Sequence, residues 1–217
     1  MEEKSARMKT RNNGLKDRED GLAPLWGCVL IGGKSSRMGQ PKHLMKHPSG
    51  PSWLEVTVRK LSPYVEKVLV AGKGDLPDNL NIDRIDDEAG LVGPLAGLVG
   101  AMRQYPGVSW LLTACDMPMI TEDSIRWLTA ERSHECSAVI PQLTEDKSRV
   151  EPLFACYECS CLSLLEDIAQ KQSLRISDIR HYENVCQVVI PAKLQHSWTN
   201  LNTPDDVLKC KFEASEE

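Results

Sequence analysis

No stretch of this sequence stays apolar for the roughly 20 residues that a membrane-spanning helix needs. The segment Met1 to Leu22 lacks the apolar core of a secretory leader and mixes both charge signs with Ser, Asn and Gly. A basic excess is missing too. Lysine and arginine number 26 against 31 acidic residues, a net charge of −5, which excludes a general nucleic-acid binder. There are no internal repeats, no low-complexity segments and no linker dividing the chain. These absences predict a cytoplasmic globular protein with neither a membrane nor a nucleic acid as partner. The 217 residues, 41% of them apolar, suit one medium α/β domain or two small ones. We read residues 1–23 as a disordered tail and 24–212 as a single domain.

Cysteine is well represented, with eight residues. Without a leader the expectation is reduced thiols. One cluster, "CYECSC" with Cys156, Cys159 and Cys161, resembles half of a metal site. No second cluster faces it, and His134 and Cys136 are isolated. The simpler reading is a strand end running into a helix.

Apolar runs and helical spacing alternate through the first two-thirds of the chain. Strands are expected at Trp26 to Ile31, Val65 to Ala71, Asn81 to Asp86 and Trp110 to Ala114, then at Ser137 to Pro141, Leu153 to Tyr157 and Val185 to Ile190. Helices are expected over Ser52 to Leu61, after "GPLAGL", over Thr121 to Glu131, over Cys161 to Ala169 and from Thr203-Pro204-Asp205-Asp206 onward. Such alternation predicts a Rossmann-like three-layer α/β/α fold around a mainly parallel, mixed sheet. Ligands in such folds bind beyond the carboxyl ends of the strands.

The first of those ends carries "LIGGKSSRMGQPK", Leu30 to Lys42, rich in glycine and positive charge. It is not the dinucleotide fingerprint, because Gly32 and Gly33 are adjacent and the next glycine is Gly39. It is not a P-loop, because five residues separate Gly33 from Gly39 and Gln40 follows. The physical reading survives. Gly32 and Gly33 can offer bare amides to a phosphate or a base, and Ser35, Ser36, Arg37 and Lys42 can bind phosphate oxygens. Asp116, a carboxylate closing an apolar strand, is either a turn residue or a metal ligand. Asn200 and Asn202 share one side of an extended chain, as substrate contacts or as turn formers before the next helix. No Ser-His or paired-carboxylate constellation accompanies them.

The string resembles the signature Leu-Ala-Gly-Gly-x-x-x-Arg-Met-Gly-x-x-Lys of nucleotidyltransferases similar to molybdenum cofactor guanylyltransferase. "GPLAGL", "CDMP", "EPLFA" and "NLNTPDD" follow in the family's order, covering about residues 26 to 210. The resemblance implies a GTP site at Leu30, Ile31, Gly32, Gly33 and Lys42, with Asp87 (or its neighbour Asp86), Gly93, Pro94 and Leu95 around the nucleoside. It implies catalysis by Arg37, Lys42 and Asp116, with Asp116 holding Mg²⁺, and an acceptor site at Asn200 and Asn202. GMP would pass to the terminal phosphate of molybdopterin with release of pyrophosphate. A molybdoenzyme or cofactor-delivery protein would receive the product. Related enzymes using CTP or a sugar or alcohol phosphate share the loop and the aspartate, and a non-catalytic nucleotide-binding module is a third reading. Ile31 stands where the family pattern has alanine, and Ala71-Gly72-Lys73 stand where it often places an asparagine.

Overall fold

The computed structural model describes residues 21–32, 40–47, 49–145, 149–201 and 206. Its strands are β1 (Leu25–Leu30), β2 (Val68–Ala71), β3 (Arg84–Ile85), β4 (Ser109–Ala114), β5 (Ala138–Gln142), β6 (Ala155–Tyr157) and β7 (Val185–Val189). They form one sheet in the order β3-β2-β1-β4-β6-β5-β7. Only β6 runs against its neighbours; the other pairings are parallel. Every residue of β4 and β5 is buried, as strands covered on both faces require.

Four helices supply the cover: α1 (Trp53–Leu61), α2 (Gly93–Gln104), α3 (Glu122–Ala130) and α4 (Leu162–Gln170). One face of the sheet packs Cys28, Leu69, Trp110, Leu112 and Ile140 against Leu95, Leu98 and Val99 of α2 and Leu165 and Ile168 of α4. The other packs Val29, Val70, Leu111 and Val139 against Leu54 and Leu61 of α1 and Ile125 and Leu128 of α3. The layers are therefore those expected. The helix starts are written locally. Ser52 and Glu55 close a capping box on α1, and Thr121 and Ser124 close one on α3. Pro94 sits in the first turn of α2.

Several boundaries differ from expectation. The strand expected over Asn81 to Asp86 shrinks to Arg84–Ile85, because this edge strand finds partners only in Val70 and Ala71. β6 begins at Ala155 rather than Leu153, since the preceding residues turn. Among the described residues four 3-10 segments, Lys42–Leu44, Cys159–Cys161, Ile176–His181 and Ala192–Trp198, went unread, because such short turns carry no amphipathic period. The helix start at Thr203-Pro204-Asp205 lies outside the described residues.

The expectation of reduced thiols is also corrected. Cys136 and Cys186 form a disulfide. Parallel pairing of β5 with β7 sets Val139 beside Cys186, and the two cysteine Cα atoms come within 5.6 Å across 50 residues of sequence. The "CYECSC" thiols hold no metal site. Cys156 and Cys161 are buried on opposite faces of the sheet, and burial pushes Cys156 up to about 12. Among the described residues no group of three or more His, Cys, Asp or Glu side chains could hold a metal ion.

A buried ion pair ties the amino end of the sheet. Arg132 Nε donates to Glu158 Oε1 at 2.7 Å, Ser109 Oγ donates to Glu158 Oε2 at 2.5 Å, and an Arg132 Nη donates to the Ala23 carbonyl at 3.0 Å. Arg132 and Glu158 side chains are 5% and 8% exposed. Removing one partner strands the other in a dry environment, so Arg132→Ala should cost about 3–5 kcal/mol, read as a lowered urea midpoint.

Candidate active site

β1, β2 and β4 end in line, with Leu30 opposite both Ala71 and Ala114. A cavity of about 910 Å³ opens at this edge. Of the residues expected at the nucleotide, Leu30, Ile31, Gly32, Lys42, Asp87, Gly93, Pro94 and Asp116 line it. Leu95 does not: its side chain is fully buried in the core beneath α2, because helical rotation turns it inward two positions after Gly93. Asp86 is exposed, and its carbonyl packs under Gly100, so Asp87 is the aspartate that meets the cavity. Ile31 is 7% exposed and belongs to the core on the α1 side, which keeps its bulk mostly out of the cavity. Gly33, Ser35, Ser36, Arg37 and Asn202 lie outside the described residues.

Lys42 and Asp116 meet. Lys42 Nζ donates to Asp116 Oδ2 at 2.9 Å across 74 residues of sequence, with both side chains under one-fifth exposed. Lys42 opens a 3-10 turn introduced by Pro41. The next residue, His43, is buried, and its Nε2 lies 2.8 Å from the Asp75 carbonyl, fixing the turn to the loop after β2. Asp116 is held through its backbone. Cys115 N donates to the Leu30 carbonyl at 3.1 Å, and Leu201 N donates to the Asp116 carbonyl at 2.9 Å. Lys60 of α1 clamps the same loop by donating to the carbonyls of Pro118 and Ile120 at 2.9 and 2.7 Å.

Close backbone approaches shape the cavity. Gly72 has φ +113°, and a Cβ there would fall 2.1 Å from the Ile31 carbonyl oxygen. A Cβ on Gly97 would sit 2.8 Å from Leu30 Cδ2 and 3.2 Å from Ala71 Cβ. The "GPLAGL" glycines thus divide their roles: Gly93 faces the cavity, and Gly97 lets α2 pack on the sheet.

Asp116 Oδ1 is buried and has no hydrogen-bond donor among the described residues. A carboxylate at the cavity with one oxygen lacking a donor suits a hard divalent cation, which takes one or two carboxylates plus phosphate oxygens. Asn200 is half-buried, its Oδ1 likewise lacks a donor, and it adjoins Leu201, which holds Asp116. Cys115 lines the cavity but is no nucleophile, since burial and then the charge of Asp116 push its thiol up to about 12. What remains can neutralise and position an anionic chain.

Sequence reasoning missed Lys60, Leu201, Lys73, Leu91, Val92 and Leu153. The last four line the cavity. The asparagine-less loop at Ala71-Gly72-Lys73 still reaches the site, through Ala71 and Lys73. Its one local signal was the glycine needed for a positive φ.

Residues 27–185 match the family of MobA-like NTP transferase domains. A protein of Carboxydothermus hydrogenoformans named "Probable molybdenum cofactor guanylyltransferase" is 32% identical over 190 residues, 84% of this chain and 92% of that one. A Synechocystis protein named "Molybdenum cofactor biosynthesis bifunctional protein" is 28% identical over 93% of this chain, which spans only 59% of that relative's length. Among solved structures, the molybdopterin-guanine dinucleotide biosynthesis protein A of Archaeoglobus fulgidus superposes with a TM-score of 0.72 at 25% identity, covering 88% of this chain and all of that one.

Proposed function

Since this chain belongs to the family of MobA-like NTP transferase domains and is a nucleotidyltransferase, we propose that it transfers GMP from GTP to the terminal phosphate of molybdopterin. Pyrophosphate leaves, and a guanine dinucleotide form of the cofactor results. The observation that carries the reading is the Lys42–Asp116 pair at 2.9 Å, set at the carboxyl edge of the sheet with the second aspartate oxygen meeting no donor among the described residues.

GTP lies in the cavity with its base against Gly93 and Pro94 and its phosphates toward Gly32, Lys42 and Asp116. Asp116 is the residue that would hold Mg²⁺, which when bound neutralises phosphate charge. The acceptor's phosphate oxygen forms a bond to the α-phosphorus while the bond to the bridging oxygen of pyrophosphate breaks in line. That nucleophile is already anionic at neutral pH, so no general base is needed. Lys42 Nζ stabilises the charge on the phosphate chain. Rate comes from position and electrostatics.

Binding confined to the folded state raises stability by RT ln(1 + [L]/Kd), about 2.7 kcal/mol at a hundredfold excess over Kd. For a domain of this size that is about 5–10 °C in Tm. GTP with Mg²⁺ should give this shift, and ATP, CTP and UTP much smaller ones. A preference for CTP would keep the chemistry and change the product; no shift with any nucleotide would overturn the reading.

A further inference from the structure

Helix α1 reaches both members of the Lys42–Asp116 pair, one from each of its ends. At its start, Trp53 N donates to the Met45 carbonyl at 2.9 Å, and Met45 N donates to the Lys42 carbonyl at 3.0 Å. In its last turn, Lys60 Nζ donates to the carbonyls of Pro118 and Ile120 at 2.9 and 2.7 Å, in the loop that Asp116 opens. The transfer described above makes no use of Lys60.

This is a costly place for an ammonium. A lysine stem on a helix surface ordinarily carries its charge out to water. Lys60 is only half-exposed, and no carboxylate pairs with it among the described residues. Burial holds its ammonium below its usual range. A charge taken out of water without a counter-charge costs free energy, which the two carbonyl dipoles offset in part. A lysine serving only the helix dipole would stay solvated over the last carbonyls of its own helix. Lys60 instead crosses to another segment.

That segment is weakly closed by itself. Residues 115–120 form two successive turns between β4 and α3. The loop's own backbone bonds are long: Met117 N reaches the Ala114 carbonyl at 3.3 Å, and Ile120 N reaches the Met117 carbonyl at 3.4 Å. Met117 and Ile120, each 1% exposed, root the loop in the core beside α1, but apolar packing is non-directional and does not aim a neighbouring carboxylate. Three polar ties give direction. Cys115 N is tied to the Leu30 carbonyl before Asp116, Leu201 N to the carbonyl of Asp116 itself, and Lys60 to the two carbonyls after it. Lys60 supplies the shortest of these bonds and the only charged ones.

We propose that Lys60 is a positioning residue for the divalent cation: by gripping the Pro118 and Ile120 carbonyls it aims the Asp116 carboxylate, so that α1 sets the Lys42–Asp116 pair from both sides. This rests on the transfer reading above, in which Asp116 would hold Mg²⁺.

The quantity to measure is the gain in GTP affinity that Mg²⁺ confers, taken as the ratio of calorimetric affinities with Mg²⁺ and with a chelator. Wild type, Lys60→Met, Lys60→Gln, Lys60→Arg and Asp116→Asn are compared, with Tm recorded for each. Lys60→Met keeps an apolar stem and loses both bonds. It should lower the gain about tenfold or more, as loss of a group that orients a metal ligand does, and leave affinity in chelator within about twofold. Lys60→Arg can still donate to both carbonyls and should keep the gain to within about threefold. Lys60→Gln should fall between, and it decides the matter if Lys60→Met does not fold. Asp116→Asn marks the floor, with no gain. A full gain in Lys60→Met or Lys60→Gln overturns the proposal, whatever happens to Tm. Equal losses with Mg²⁺ and with chelator mark Lys60 as merely structural and overturn it too. A gain that survives in Asp116→Asn takes the metal away from Asp116 and removes the basis of the proposal, while the transfer itself stands. A wild-type chain that binds no nucleotide removes the transfer reading and this proposal with it.

Discussion

Asp116→Asn should lower kcat/KM for pyrophosphate release by about 1,000-fold or more while leaving Tm within a few degrees of wild type. The substitution keeps the size of the side chain and the backbone bond from Leu201 N that holds the loop. It removes the charge that meets Lys42 at 2.9 Å and turns into an amide the carboxylate whose Oδ1 meets no donor among the described residues. Two losses combine. The site that would hold Mg²⁺ loses its carboxylate, and Lys42, with its side chain 15% exposed, loses the acceptor that aims it. Raising Mg²⁺ should recover little. Lys42→Ala should be comparably slow yet still show a magnesium-dependent GTP shift, because it spares the carboxylate. Steady-state pyrophosphate release across a magnesium series checks both. An Asp116→Asn enzyme within tenfold of wild type would show that this carboxylate is not at the chemistry.

Gly72→Ala should destabilise the domain by about 4 kcal/mol or more, and in practice prevent accumulation of folded protein. The backbone at Gly72 has φ +113°, which side chains rarely adopt, and the new Cβ would fall 2.1 Å from the Ile31 carbonyl oxygen. No rotamer relieves a clash with backbone. β1 and β2 must separate where Ile31 N donates to the Ala71 carbonyl at 2.8 Å, at the wall of the cavity. Gly97→Ala is the control. Its Cβ meets the end of the flexible Leu30 side chain at 2.8 Å, so a side-chain shift absorbs part of the clash, and the cost should be about 1–2 kcal/mol. Urea titration of the two variants should rank them in this order, and a Gly72→Ala protein as stable as Gly97→Ala would contradict the account.

Periodicity and punctuation in the sequence determine the alternation of strand and helix, and with it the mainly parallel sheet and the edge where a ligand binds. Local chemistry determines the caps at Ser52 and Thr121 and the start of α2 at Pro94. The motifs name Lys42 and Asp116 as a site. Only the tertiary structure decided that these two meet, that Leu95 turns into the core, that Lys60 clamps the loop behind Asp116, and that Cys136 bonds Cys186. The physical reason is one of phase and register. A local pattern says that a segment is a strand or a helix, but not which residue of a distant strand stands opposite. The 74-residue separation of Lys42 and Asp116 is closed by the pairing of β1 with β4, which depends on the whole buried sheet at once.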